Sequence, residues 1–178
     1  MKLSNNELSD ISILKFAKFQ KLKSLILSNN NIKNIEILGE VDFPILQELK
    51  LSNNKITDIK KLKSAKFAKT IKKLYLSHNN ISEVDSLMCS SCYSEWDDSR
   101  NSNSSSIGIG RGGFERGRGR GGRGGIGIRI GLRDSFSIHH ECPFKELKEL
   151  KIAVNSINRT TNKEKIEYLK SHVSTFII

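Results

Sequence analysis

Two short clusters carry residue types that bind metal. Cys89-Ser90-Ser91-Cys92 holds two thiols with two residues between them, and His139-His140-Glu141-Cys142 pairs a histidine with a third thiol at the same interval. Together they read C-x-x-C…H-x-x-C, ligand types and local spacings suited to tetrahedral zinc. The expected ligands are Cys89, Cys92, His139 and Cys142, with His140 replacing His139 if that ring faces away. Metal there would clip together the two ends of the segment they enclose. Without it, the same residues are separate thiols and exposed histidines.

The enclosed segment has a second chemistry. Every glycine except Gly39 and every arginine except Arg159 falls between residues 89 and 143, and no lysine does. A serine run, Ser99-Arg100-Asn101-Ser102-Asn103-Ser104-Ser105-Ser106, is followed by Gly and Arg in near alternation from Gly108 to Gly125. Such a composition cannot bury enough apolar surface to offset its chain entropy, so a disordered insertion is expected over 89–143. Glycine lets a backbone follow an irregular strand, while guanidinium groups pair with phosphates and stack on bases. Arg111, Arg116, Arg118, Arg120 and Arg123, with Phe114 as a stacking ring, are the candidate RNA contacts. Gly108-x-Gly110-x-x-Gly113 is not a dinucleotide site, because it follows serines rather than a strand and opens no helix. No acid, base and nucleophile converge in the sequence, so an enzyme is not expected. Nor is a cofactor, apart from the zinc just described.

The elements that position these residues come from a repeat. Leu3-Ser4-Asn5-Asn6, Leu27-Ser28-Asn29-Asn30, Leu51-Ser52-Asn53-Asn54 and Leu76-Ser77-His78-Asn79 start 24, 24 and 25 residues apart, and Ile152-Ala153-Val154-Asn155 is a worn fifth copy. The full pattern is L-x-x-L-x-L-x-x-N-x-I, as in Leu46, Leu49, Leu51, Asn54 and Ile56. Its period and spacing are those of leucine-rich repeats. Around L-x-L the side chains alternate, as in a short strand with one buried face. The asparagine turns inward where the chain bends, and its amide can bond backbone groups that the bend leaves without partners. Ile35 and Leu38, Ile59 and Leu62, and Val84 and Leu87 mark return segments of helix or 3₁₀ helix, Lys60–Lys69 being the most helix-like. The fold expected is α/β: a leucine-rich repeat solenoid of about five coils, with short parallel strands on its concave face. Repeats 1–4 occupy 1–88; the last repeat and a C-terminal cap occupy 144–178. In that cap, Asn162–Lys170 forms an amphipathic helix with Ile166 and Leu169 inward, and Val173, Phe176, Ile177 and Ile178 seal the end.

On the concave side, the residue inside each L-x-L is exposed. That column reads Lys2, Ile26, Lys50, Tyr75 and Lys151, with Lys73 beside it. Ile26, Lys50, Lys73, Tyr75 and Lys151 are the candidate partner-binding residues, with Tyr75 as the aromatic anchor.

The net charge is +11, and it is spread unevenly. Residues 1–89 hold 15 Lys against 9 acids, 90–141 hold 8 Arg against 6, and 142–178 hold 7 basic residues against 4. A basic solenoid favours anionic partners such as nucleic acid or acidic protein segments. No apolar run reaches the roughly 18 residues needed to span a bilayer, and Met1-Lys2-Leu3 has no signal-peptide layout. An intracellular protein with reduced cysteines is expected, in the nucleus, the cytoplasm or both, as a monomer without membrane contact.

Leu27-Ser28-Asn29-Asn30, Ile35-Glu36-Ile37-Leu38 and Leu49-Lys50-Leu51-Ser52-Asn53-Asn54-Lys55-Ile56-Thr57-Asp58-Ile59, with their spacing, resemble the leucine-rich domain of the acidic leucine-rich nuclear phosphoproteins. The closing Leu150-Lys151-Ile152-Ala153-Val154-Asn155, followed by Thr161-Asn162-Lys163, is similar to the spliceosomal A-prime protein. The first resemblance implies a non-enzymatic nuclear scaffold that binds histones or a phosphatase through its solenoid. The second implies an RNA-associated protein with an RNA-recognition-fold partner, aided by the Gly/Arg insertion. The chain is basic and shows no acidic tail, which is a departure from the first family.

Overall fold

The computed structural model describes residues 1–89, 93 and 143–178. The L-x-L steps of four coils open as three-residue strands, β1 Ser24–Ile26, β2 Glu48–Lys50, β3 Lys73–Tyr75 and β4 Glu149–Lys151, and a fifth strand, β5 Thr175–Ile177, follows near the C-terminus. All pair in parallel in the order β1-β2-β3-β4-β5, and Lys2 adds a bridge to Ile26 beyond β1. The central leucine of each of β1–β4 points into the core. Leu25, Leu49, Leu74 and Leu150 sit in register and are all but fully buried. Each such side chain contributes roughly 1.5–3 kcal/mol by leaving water.

The asparagines form the expected ladder. Asn54 Nδ2 donates to the carbonyls of Leu51 (2.9 Å) and Leu27 (3.1 Å), while its Oδ1 accepts from the Ile32 amide at 3.1 Å. Asn30, Asn79 and Asn155 repeat this arrangement in their own coils. The residue before each ladder position is left-handed: Asn5, Asn29, Asn53, His78 and Val154 have φ between 54° and 59°. Asparagine tolerates that region because its short polar side chain bonds locally; a β-branched residue is strained there. Val154 is also 64% exposed, so it gains little from packing. Val154→Asn is therefore expected to raise stability by about 1 kcal/mol, read as a higher urea midpoint at unchanged slope; an equal or lower midpoint contradicts this account.

The returns are short 3₁₀ turns at Ser12–Phe16, Glu36–Gly39, Lys60–Ser64, Lys66–Lys69 and Asp85–Leu87. The segment read as most helix-like is two such turns, because the chain must bend at Ala65 to bury both Leu62 and Phe67. Gly39 lies where successive returns meet: a Cβ there would stand 3.0 Å from the Lys61 carbonyl oxygen. A column of phenylalanines backs the strands. Phe43 and Phe67 are fully buried, Phe144 is 6% exposed and Phe19, on the first coil, 40%.

The C-terminal end differs from expectation in one respect. Helix α1, Lys163–His172, buries Ile166, Tyr168 and Leu169 as a cap should. The residues after it do not simply seal the core: β5 continues the sheet, bonding to β4, and Ile177 is 44% exposed on its face. Lys165 Nζ reaches Asp85 Oδ1 at 2.5 Å, which fastens α1 to the fourth coil and holds the lysine's pKa up. No helix among the described residues is long and apolar enough to cross a membrane.

Residues expected to form the insertion lie outside the described residues, apart from Cys89, Tyr93 and Pro143. The coils on either side are contiguous all the same. β3 pairs with β4, and the Ile81 amide donates to Asn155 Oδ1 at 3.1 Å across 74 positions of sequence.

Candidate functional site

Strand alternation sets the concave face. With the leucines turned inward, the flanking residues of each strand turn outward, giving two columns in register. One is Ile26, Lys50, Tyr75, Lys151 and Ile177; the other is Ser24, Glu48, Lys73, Glu149 and Thr175. The five residues singled out from sequence therefore stand on one surface. The centre is Tyr75. Lys50 Nζ and Lys151 Nζ each lie 5.1 Å from its ring centroid, one from either side along the sheet. Cation–π contacts of this kind contribute about 0.5–1 kcal/mol each at partly exposed sites.

Two glutamates tie these cations down. Glu48 takes a hydrogen bond from Ser24 Oγ at 2.6 Å and pairs with Lys50 at 3.2 Å. Glu149 pairs with Lys151 at 3.3 Å and Lys73 at 3.9 Å, and it accepts a hydrogen bond from the Tyr75 hydroxyl. The Ser24 bond is the main reason Glu48 ionises below the usual carboxylate range; for Glu149 it is the Tyr75 bond. Tyr75 moves the other way. Desolvation, and then the bond and charge of Glu149, push its phenol up to about 12.

These shifts decide what the surface can do. A general acid or base works best with a pKa near the operating pH. Here the carboxylates are held ionised and the phenol is held neutral, both displaced away from neutrality. Lysines bound to carboxylates are also poorly placed to collect phosphates. The surface is a mosaic of paired charges around one fixed ring, which suits recognition of another protein surface. The glutamates were the part undervalued from sequence. Glu48-Leu49-Lys50 and Glu149-Leu150-Lys151 place opposite charges two residues apart, which in a strand is the same face.

Titration offers a direct check. A raised phenol pKa means that the folded state holds its proton more tightly, so the stabilisation is complete below pH about 10 and is lost as pH rises toward 12. The phenolate absorbance that disappears in Tyr75→Phe should have its midpoint near 12. Glu149→Gln should lower that midpoint only in part, since desolvation is the larger cause. A midpoint at the ordinary tyrosine value rejects the Tyr75–Glu149 contact.

The other expected sites fare differently. Cys89 is buried and disulfide-bonded, which for this residue corrects the expectation of a reduced thiol. Cys92, His139 and Cys142 lie outside the described residues, as do Arg111, Phe114, Arg116, Arg118, Arg120 and Arg123. Among the described residues no group of three or more His, Cys, Asp or Glu could hold a metal ion. His78 fills the left-handed turn position of its coil.

Comparison with known proteins agrees with this geometry. A family model described as Leucine Rich repeats (2 copies) matches residues 20–64, and one described as Leucine Rich Repeat matches 70–92. No curated protein matches the sequence. Among solved structures, an internalin from Listeria monocytogenes superposes with a TM-score of 0.55 at 16% identity, over 97% of this chain and 32% of that one. At that identity the likeness is one of fold, and this chain spans about a third of the internalin's length.

Proposed function

We propose that this leucine-rich repeat protein is a non-enzymatic scaffold of the nuclear regulatory type, holding a histone or a phosphatase against its concave face. Leucine-rich repeat domains generally mediate protein–protein contact. The observation that carries the reading here is the Lys50–Tyr75–Lys151 row closed by Glu48 and Glu149. A ring held from both sides and at its hydroxyl loses little freedom when a partner covers it. Paired lysines and glutamates favour a partner of mixed charge, so a phosphatase fits this face better than a uniformly basic histone.

A second reading is an RNA-associated protein with an RNA-recognition-fold partner. It is favoured by the net charge of +11 and by the arginine–glycine run containing Arg111, Phe114, Arg116, Arg118, Arg120 and Arg123. Binding of the full chain to a phosphatase catalytic subunit, to core histones and to a single-stranded RNA, each repeated with Glu149→Lys, separates the two. Phosphatase or histone binding lost in Glu149→Lys supports the scaffold reading. Salt-sensitive RNA binding that Glu149→Lys leaves unchanged, with neither protein bound, supports the second.

A further inference from the structure

The chemistry of the Lys50–Tyr75–Lys151 row specifies what a partner must place on it. Lys50 and Lys151 come from the strands on either side of Tyr75, and each ammonium lies 5.1 Å from the ring centroid. The two cations therefore take opposite faces of the ring, and what the ring turns toward a partner is its edge. An aromatic edge carries partial positive charge, in contrast to the negative face. The top of the row is thus a positive C–H rim between two ammonium groups, on side chains that remain 35% and 38% exposed.

Three kinds of partner group meet this surface differently. A carboxylate would compete with Glu48 and Glu149, which already hold these lysines at 3.2 and 3.3 Å and are themselves held by Ser24 and Tyr75. An aliphatic side chain would take water from two ammonium groups and return nothing. An aromatic ring laid flat offers its negative face to all three positive groups at once, an edge-to-face contact with Tyr75 and a cation–π contact with each lysine. It does so without displacing either glutamate. The two nitrogens stand on opposite sides of a single ring, close enough for one indole to touch both.

We propose that the concave face receives an aromatic side chain of its partner protein, tryptophan above all, lying face down across Lys50, Tyr75 and Lys151. Tryptophan has the ring on which cations bind best and the length to reach both lysines. This deepens the scaffold reading and rests on it, since the row is taken as the centre of the partner surface.

The test is an NMR titration of the full chain with three capped tripeptides, acetyl-Gly-Trp-Gly-amide and its counterparts with Leu or Asp at the centre. The tryptophan peptide should move the Lys50 and Lys151 Hε signals and the Tyr75 ring signals upfield, because protons that face an aromatic ring are shielded. The leucine and aspartate peptides should leave those signals in place. Lys50→Met combined with Lys151→Met keeps both stems and removes both cations. It should weaken the tryptophan peptide by about five- to thirtyfold. Lys50→Arg combined with Lys151→Arg should bind it within about twofold of the parent, because guanidinium groups also stack on rings. Equal shifts from the leucine peptide, or tighter binding of the aspartate peptide, overturn the proposal, as does unchanged affinity in a folded Met pair. Signals that move on concentrating the protein alone would assign the face to a second copy instead. A tryptophan site in a chain that binds neither phosphatase nor histone keeps this chemistry and rejects the proposed partners. Partner binding lost in Tyr75→Ala, with no tryptophan shifts, keeps the partners and rejects the aromatic occupant.

Discussion

Asn54→Ala is expected to destabilise the solenoid by about 3–5 kcal/mol, far more than Asn53→Ala one residue away. Asn54 is 7% exposed and serves the Ile32 amide and the carbonyls of Leu27 and Leu51, with a longer bond to the Ser52 carbonyl at 3.4 Å. The carbonyls each keep a second donor: Leu27 still accepts from Asn30, and Leu51 from Asn79. The amide keeps none. Its orphaning costs roughly 1–3 kcal/mol, and each lost carbonyl bond adds about 1. Asn53 instead holds an exposed left-handed turn, where alanine costs about 1 kcal/mol. The middle coil also transmits stability to both neighbours, so damage there divides the stack. The terminal Asn6, bonded to Leu3 and Ser4 on an exposed coil, should tolerate alanine far better. Urea unfolding by circular dichroism gives the three values. Equal losses at 53 and 54 would show that the ladder is ornamental.

The ladder and the leucines were legible because their physics is local and periodic. A two-residue alternation in Leu49-Lys50-Leu51 decides which side chains go inward without knowledge of any other coil. The invariable step from Leu51 to Asn54 does the same for the amide. Three features needed the third dimension. Phe19, Phe43 and Phe144 each precede their coil's first leucine by three residues, a regularity present in the sequence, but only stacking reveals it as a column. β5 has no L-x-L at all; Thr175-Phe176-Ile177 is a strand because β4 offers it an unpaired edge. Val154 keeps the left-handed turn of its coil although valine disfavours it, so the flanking ladder bonds of Asn155 outweigh the local preference. The concave residues were legible as positions but not as electrostatics. Lys50, Lys73 and Lys151 read as a cationic surface until the register sets Glu48 and Glu149 beside them.

That electrostatic arrangement underlies the largest functional effect. Tyr75→Ala is expected to weaken binding of the concave-face partner by about 2 kcal/mol, or about thirtyfold. Tyrosine is a favourable anchor because it offers much area with few rotatable bonds, and here even those are fixed. Lys50 and Lys151 flank the ring and Glu149 holds the hydroxyl. Its place in the row, between Lys50 and Lys151 with Ile26 and Ile177 beyond them, is where a partner excludes water best. Tyr75→Phe retains the ring and both cation contacts and loses only the bond to Glu149, so a change of a few-fold is expected. Lys61→Ala, on the return side, should change nothing. Leu74 and Leu76 carry the core on either side of Tyr75 and are untouched, so folding should survive the substitution. Calorimetric titration of the phosphatase or histone, whichever binds, gives the affinities. A Tyr75→Ala affinity within twofold of the parent would place the partner on another surface, and the paired charges of this face would then serve only to keep neighbouring strands in register.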